Sequence, residues 1–413
     1  VIKRNDIDLT APAGSFDSLM AAIQGGADSI YFGLGKLNMR ARSSYNFTEA
    51  DLDKITDICN EHNIRAYLAL NTALFDSELQ RIREIIDLAK KAGIHGVIVS
   101  DLAAIEYAHN AGMSVHISTQ ANISNIESLR FFSKYADVIV LARELNLKQI
   151  SDISKHIVKD KINGPSGDYV KIELFIHGAL CMSVSGKCYL SLHEHNYSAN
   201  RGECLQDCRR TYTVRDKETG FELDIENEHI MSPKDLCTIH FLDKILKAGV
   251  SVLKIEGRAR PPEYVKTVTE CYNEAIDSCL EGTFTKDKAD KWTERLSTVF
   301  NRGFWDGYYL GKKLGEWSDI YGSKATKRKI FIGKGVNYFD RIKVAEFTCE
   351  ASTLNVGDEI LITGPATGVI QTIVKEIRVD LKNVSQTVQG QRFSIPIERL
   401  IRRSDKLFKI VDA

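Results

Sequence analysis

Ile7-Asp8-Leu9, followed by Thr10-Ala11-Pro12-Ala13-Gly14, is where the chain first leaves an apolar run and turns. A doubly wound open sheet that binds a dinucleotide carries G-x-G-x-x-G at this turn, because its glycines let the backbone approach a pyrophosphate. That pattern is missing here. Outward from this point the first 260 or so residues repeat one unit: a short β-branched or apolar run, a polar turn, then a helical stretch. The runs at 7–9, 28–32, 64–70, 96–99, 114–117, 138–141, 170–176 and 250–255 read as strands. Between them, 49–61, 76–92 and 102–110 place apolar residues at three- and four-residue spacing, as amphipathic helices do. Lys91-Ala92-Gly93, Asn110-Ala111-Gly112 and Lys247-Ala248-Gly249 each put glycine where a helix stops before the next strand. Eight strands alternating with helices predict a closed (β/α)8 TIM-like barrel.

One break interrupts the repeat. Residues 177–249 form a cysteine-rich insertion after the seventh strand, at the face where barrel active sites are built. Helices at 262–280 and 286–299 follow the eighth strand, then the aromatic stretch Phe304-Trp305-Asp306-Gly307-Tyr308-Tyr309. The expected organisation is a catalytic barrel over 1–312, a linker over 313–328 and a small C-terminal β-barrel domain over 329–413, where short alternating strands begin. Net charge is zero over 413 residues, yet 324–413 holds sixteen Lys and Arg against ten Asp and Glu. That surplus fits either a basic surface for nucleic acid or a solvated face. No run approaches the length of a membrane span, and the first residues lack a signal-peptide pattern, so a cytoplasmic protein without a membrane partner is expected. Nine cysteines in such a compartment argue against a disulfide framework.

Five cysteines fall in the insertion: Cys181, Cys188, Cys204, Cys208 and Cys237. Four thiolates satisfy zinc or an iron–sulfur cluster. The tight pairs with two intervening residues that zinc ribbons use are absent, which favours iron–sulfur. Cys59, Cys271, Cys279 and Cys349 stand alone and read as small buried hydrophobes.

Around these cysteines the sequence resembles peptidase family U32. The resemblance rests on Glu173-Leu174-Phe175-Ile176-His177-Gly178-Ala179-Leu180-Cys181, Ser185-Gly186-Lys187-Cys188-Tyr189-Leu190-Ser191 and Asn200-Arg201-Gly202-Glu203-Cys204-Leu205-Gln206-Asp207-Cys208-Arg209. It continues at Ser232-Pro233-Lys234-Asp235-Leu236-Cys237 and Leu253-Lys254-Ile255-Glu256-Gly257-Arg258. Earlier segments share it: Ala11-Pro12-Ala13-Gly14, Asn38-Met39-Arg40-Ala41 and His116-Ile117-Ser118-Thr119-Gln120. The resemblance implies an iron–sulfur enzyme, with a 4Fe–4S cluster, that hydroxylates without molecular oxygen and takes prephenate as co-substrate. Length and layout are most similar to the branch that acts on tRNA and forms 5-hydroxyuridine at the wobble position. Ribosomal RNA, a quinone precursor and the peptide hydrolysis of the family's old name are the alternatives. Cys181, Cys188 and Cys204 match family metal ligands; Cys237 is taken as the fourth and Cys208 as its substitute.

Strand ends supply the other candidates. A dianionic acid is best held by the planar fork of arginine, which nominates Arg40, Arg143 and Arg258, with a surface ion pair as the plain alternative. Asn71 and Gln120 are grouped with them for substrate binding. His116, His177 and Glu256 are the catalytic candidates, although a strand histidine is commonly a satisfied core residue, and Glu173 and Glu256 also fit a supporting role. With His177 four residues before Cys181, a Cys–His pair is conceivable, but neither G-x-S-x-G nor H-E-x-x-H occurs. The stretch 304–309 could stack on a base or pack between domains, and 399–406 reads as a phosphate-contacting run or a charged edge strand.

Overall fold

The eight expected runs all become strands, and they close on themselves. The computed structural model describes residues 3–42, 46–213, 217–220, 229, 231–311 and 315–413. Strands β1 (Asp8–Pro12), β2 (Ser29–Gly33), β3 (Arg65–Leu70), β4 (Gly96–Val99), β5 (Ser114–Ile117), β6 (Val138–Val140) and β7 (Lys171–Gly178) pair in parallel, each with the next. After the insertion come β8 (Asp235–Cys237), antiparallel to the end of β7, and β9 (Val252–Ile255). β9 pairs in parallel with both β7 and β1, setting Glu173 opposite Val252 and Leu9 opposite Leu253, and this closes the barrel. β1 runs further than expected, through Pro12. Proline has no N–H to offer a ladder, but the N–H of the next residue, Ala13, bonds to the Tyr31 carbonyl at 2.9 Å, so the strand holds to its end.

The crossover helices are α1 (Phe16–Gln24), α2 (Leu52–Glu61), α3 (Leu79–Lys91), α4 (Leu102–Asn110), α5 (Ile126–Phe132), α6 (Leu147–Lys159) and, past a short α7 (Leu190–His195) in the insertion, α8 (Leu242–Lys247). α3 shows why they pack: Ile82, Ile85, Ile86 and Ala89 recur on one face and are all buried. Gly93 and Gly249 adopt the left-handed φ of +81° and +88° that ends a helix tightly before a strand. α9 (Pro262–Leu280) and α10 (Lys286–Ser297) then cover the outside, and β10 (Phe304–Trp305) pairs with β8.

Residues 313–328 differ from the expected linker; 313 and 314 lie outside the described residues. Trp317 bridges to Pro233, the Ser318 N–H bonds to the Ser232 carbonyl at 2.7 Å, and β11 (Lys327–Phe339) has already begun. The charged and Gly/Ser-bearing composition that suggests a linker here covers a stretch tied down by backbone bonds. Beyond it lie β12 (Val344–Cys349), β13 (Glu359–Gly364), β14 (Gly368–Ile373), β15 (Ile377–Val379), β16 (Lys382–Val384), β17 (Arg392–Pro396) and β18 (Lys406–Asp412). They form an antiparallel sheet in the order β14-β13-β18-β11-β12-β17-β15-β16, wrapped over Ile332, Phe347, Ile362 and Phe393. This small domain docks on the barrel flank. The Gln24 side chain at the end of α1 bonds to the Thr367 carbonyl (2.8 Å) and the Val369 N–H (2.9 Å), and Leu361 and Val369 join the barrel's own core.

Candidate active site

Alternate residues of the strands face the barrel interior and build the site in layers. The lowest layer is polar: Ser29 donates to Asp8 at 2.7 Å, and Arg65 pairs with Asp8 at 2.9 Å. Above it, Lys254 pairs with Glu173 at 2.6 Å, and the His116 ring lies 3.3 Å from the other Glu173 oxygen. Burial works to raise the Glu173 carboxyl, but Lys254 and His116 overcome it and hold the group at about 2. The layer at the mouth opens into a cavity of about 130 Å³.

Arg40, Asn71, Gln120, Arg143, Glu256 and Arg258, six of the residues nominated from sequence, line this cavity. So do Cys181, Cys188, Cys204 and Cys208. Arg258 is 5% exposed, and among the described residues its Nε and Nη1 have no hydrogen-bond partner; Arg143 Nε is likewise unmatched among them. Arg258 fits here because residue 33 is glycine: a Cβ on Gly33 would stand 2.2 Å from Arg258 Nη1. Arg143 lies over the Phe175 ring, 4.2 Å from its centroid. Glu256 accepts from Arg40 Nε (3.0 Å) and Nη2 (2.7 Å), and the Tyr31 hydroxyl lies 3.1 Å from its second oxygen. Burial opposes the ionised form of Glu256, but Arg40, Arg143 and Arg258 together bring it to about 2. It is therefore an ionised anchor for arginine, not the proton donor that a catalytic acid would be. Asn71 is held by the Met39 N–H (3.2 Å) and by Ser118 (3.2 Å), so its amide is oriented before anything binds.

Three of the nominated residues stand outside this cavity. Cys237 does not line the cavity. It lies on β8 opposite His177, 3% exposed, with its sulfur 3.9 Å from the Tyr272 hydroxyl, and burial pushes its thiol up to about 11. Cys208 is the thiol that joins Cys181, Cys188 and Cys204. Burial pushes it too up to about 11, against the charge of Arg209, and the three neighbouring thiols raise it further. His177 is enclosed by the rings of Tyr264, Tyr272 and Phe304, with burial lowering its pKa to about 3, and does not reach the cavity. His116 sits below the floor, against Tyr67 and Glu173. Both histidines are core residues supporting the barrel. The aromatic stretch also packs inward: Trp305 is buried, and the Tyr309 hydroxyl donates to the Phe175 carbonyl at 2.8 Å. Arg399, Arg402 and Arg403 in the C-terminal basic run are exposed. Lys254 and Tyr31 line the cavity without having been singled out. The two-residue alternation that carries Glu256 inward also carries Lys254 inward, and was the signal for it.

Among the described residues no three His, Cys, Asp or Glu side chains converge on a point that one metal ion could occupy. Cys181, Cys188, Cys204 and Cys208 nonetheless line one and the same cavity.

Residues 14–319 match the profile of peptidase family U32. The chain belongs to this family. It is 59% identical over 405 residues to a collagenase of Porphyromonas gingivalis, with 98% of each chain covered. A tRNA hydroxylation protein of Bacillus subtilis is 28% identical over 400 residues, covering 94% of this U32 chain and 92% of the relative. The 23S rRNA 5-hydroxycytidine synthase of Escherichia coli is 32% identical over 322 residues, covering 76% of this chain and 47% of the relative. Among the described residues of this U32 protein no helix is long and apolar enough to cross a membrane.

Proposed function

We propose that this U32 protein hydroxylates tRNA without molecular oxygen, forming 5-hydroxyuridine at the wobble position, with prephenate as the oxygen donor and an iron–sulfur cluster held by Cys181, Cys188, Cys204 and Cys208. The observation that carries the reading is the pairing, in one cavity, of four thiols with a buried guanidinium whose donors are unmatched. Unmatched buried N–H groups are costly, and a carboxylate repays them with charge-assisted bonds. Arg258 and Arg143 would take the carboxylates of the acid. Glu256 fixes Arg40, and Asn71 and Gln120 offer amides to the edge of a pyrimidine. A base must leave its stack to reach a barrel mouth, so the substrate nucleotide enters flipped. When bound, the cluster supplies redox or Lewis-acid chemistry at the cavity wall.

A peptidase is the second reading, favoured by the name of the 59% identical relative. It needs a nucleophile beside a base. Cys181 is exposed, and hydrogen bonds with Ser183 and the charge of Arg143 hold its thiol below the ordinary value despite the opposing effect of enclosure. No histidine stands among the described residues lining the cavity to serve it as base. Mass spectrometry of tRNA nucleosides from cells with and without the gene separates the two. Loss of 5-hydroxyuridine, restored by the intact gene but not by Cys188→Ala, supports the hydroxylase. An unchanged profile together with peptide cleavage by metal-free protein supports the peptidase.

A further inference from the structure

Past the thiols, the cavity continues into a second recess. Arg40, Arg143, Cys181, Cys204, Cys208 and Glu256 form the shared wall, and Arg209, Arg260 and Arg302 line the far side. From those arginines the opening reaches the surface beside Phe300 and Tyr321. The three guanidiniums differ in what they touch. Arg209 is locked: it donates to Ser232 (3.1 Å), to the Leu180 carbonyl (2.8 Å) and to the Pro233 carbonyl (2.5 Å). Among the described residues Arg302 makes one long polar contact, 3.4 Å to Asp235. Arg260 lies over the Phe300 ring, 3.6 Å from its centroid, and among the described residues its side chain makes no hydrogen bond or ion pair.

On the far side Arg209, Arg260 and Arg302 all feel the charge of Asp235, while Glu256 on the shared wall is engaged by Arg40. Burial and the charge of Arg302 both act against the charged form of Arg260. A guanidinium kept charged in such a place, with its donors unused, is matched by an oxyanion that accepts two parallel bonds. Phe300 supports both Arg260 and Arg302, the latter 5.2 Å from its centroid, so the forks are held near one another. At the outer rim Tyr321 is 75% exposed, a flat ring beside a cationic recess. A fixed oxyanion site with an open aromatic face alongside is the chemistry of a nucleotide within a strand, phosphate on arginine and base on ring.

We infer that the recess bounded by Arg260, Arg302 and Tyr321 is a single-stranded RNA subsite, holding a backbone phosphodiester on the two guanidiniums and stacking the adjacent base on Tyr321. It rests on the reading of the substrate as RNA and adds where the strand runs: away from the flipped nucleotide, past the thiols into the arginine-lined recess. The subsite grips backbone and a π-face, so it contributes affinity and register with little sequence preference.

The test uses the full chain and a fluorescein-labelled anticodon stem-loop RNA, with binding followed by anisotropy across a salt series. Arg260→Gln is expected to weaken binding about tenfold and to lower the slope of log K against log salt by about 0.7, the signature of one phosphate lost from a single strand. Tyr321→Ala is expected to weaken binding by about the same factor at every salt concentration, with the slope unchanged. Tyr321 is exposed, so this variant keeps the test alive if Arg260→Gln folds poorly, and circular dichroism and iron content check both. A parent that binds and hydroxylates RNA while both variants bind as tightly, with the parent's slope, overturns the subsite and leaves the hydroxylase reading standing. Arg260→Gln losing affinity for inorganic phosphate or prephenate but not for RNA also overturns it, by assigning the recess to the small acid. A parent that binds no RNA removes the reading and the subsite together.

Discussion

Arg258 and Cys208 show what a single side chain decides in this site. Arg258 is enclosed by β2 and β9 with two nitrogens unmatched, and lysine there would keep the charge while losing the fork. Arg258→Lys is expected to raise the KM for the acid donor at least about tenfold while leaving the Kd for RNA unchanged; steady-state kinetics and RNA binding on the same preparation check this, and equal losses in both would reassign the residue. Cys208 and Cys237 make a sharper contrast. Cys208→Ala is expected to abolish bound iron, and Cys237→Ala to retain it, as read from iron content and visible absorption of anaerobically prepared protein. The reverse result would make Cys237 the fourth ligand and require its thiol to leave Tyr272. Sequence could not decide between the two, because a motif gives spacing along the chain and not the side of a three-residue strand on which a thiol lies. That Cys181, Cys188 and Cys204 line the cavity follows from an insertion placed at the mouth face, and the arginines reach it from strand ends, because barrel topology sends those positions to one face. His177 was misleading for the same reason as Cys237: it is next to the site in the chain but turned into the ring cluster behind β7.

At the scale of elements, the place and order of strands and helices were readable from periodicity, with ends shifted by a few residues, and α4 coincides with the expected 102–110. What periodicity could not show is how loops above the barrel are tied together. Asp101 is an instance. One of its oxygens caps α4 by accepting from the Ala103 N–H at 3.0 Å, and the other accepts from the Leu74 N–H at 3.1 Å. It therefore joins the start of α4 to the loop that follows β3 and carries Asn71. Loss of an N-cap side chain costs about 1 kcal/mol, and here a second backbone donor is left without its partner as well. Asp101→Ala is expected to lower stability by about 1–2 kcal/mol in urea unfolding and to weaken substrate binding through Asn71, whereas Asp101→Asn should keep most of both. A neutral effect of Asp101→Ala on binding would mean that the loop is held in place by its other contacts. The packed stretch before β11 is the companion case: its composition signals a linker, and only its backbone bonds to Ser232 and Asn301 reveal that it is part of the barrel's surface.

For the whole molecule, the polar barrel interior ties stability to pH. Glu173, held at about 2 in the folded chain against an ordinary 4.5, contributes stability that is whole above pH 4.5 and is lost as pH falls towards about 2. His177 acts earlier. Burial, helped by Arg260, lowers it from 6.5 to about 3, so the folded state resists a proton that the unfolded chain accepts. Its contribution is complete above pH 6.5 and declines as pH falls towards about 3, by about 2 kcal/mol at about pH 5. Between 6.5 and 4.5 His177 contributes most of the slope, with His95, which burial and Arg65 also hold below its ordinary value, adding to it, and Glu173 and Glu256 act below that. Urea unfolding of the parent across this range is expected to show stability falling with acidity from just below neutral. His177→Gln, which cannot take up a proton, is expected to be less stable near neutrality yet flatter between pH 6.5 and 4.5. Glu173→Gln should retain the parent's slope in that interval and lose only part of the further fall below it, the rest belonging to Glu256. A His177→Gln protein that loses stability with acid as steeply as the parent would show that the imidazole is not buried neutral, and would return it to the list of groups able to exchange a proton near the site.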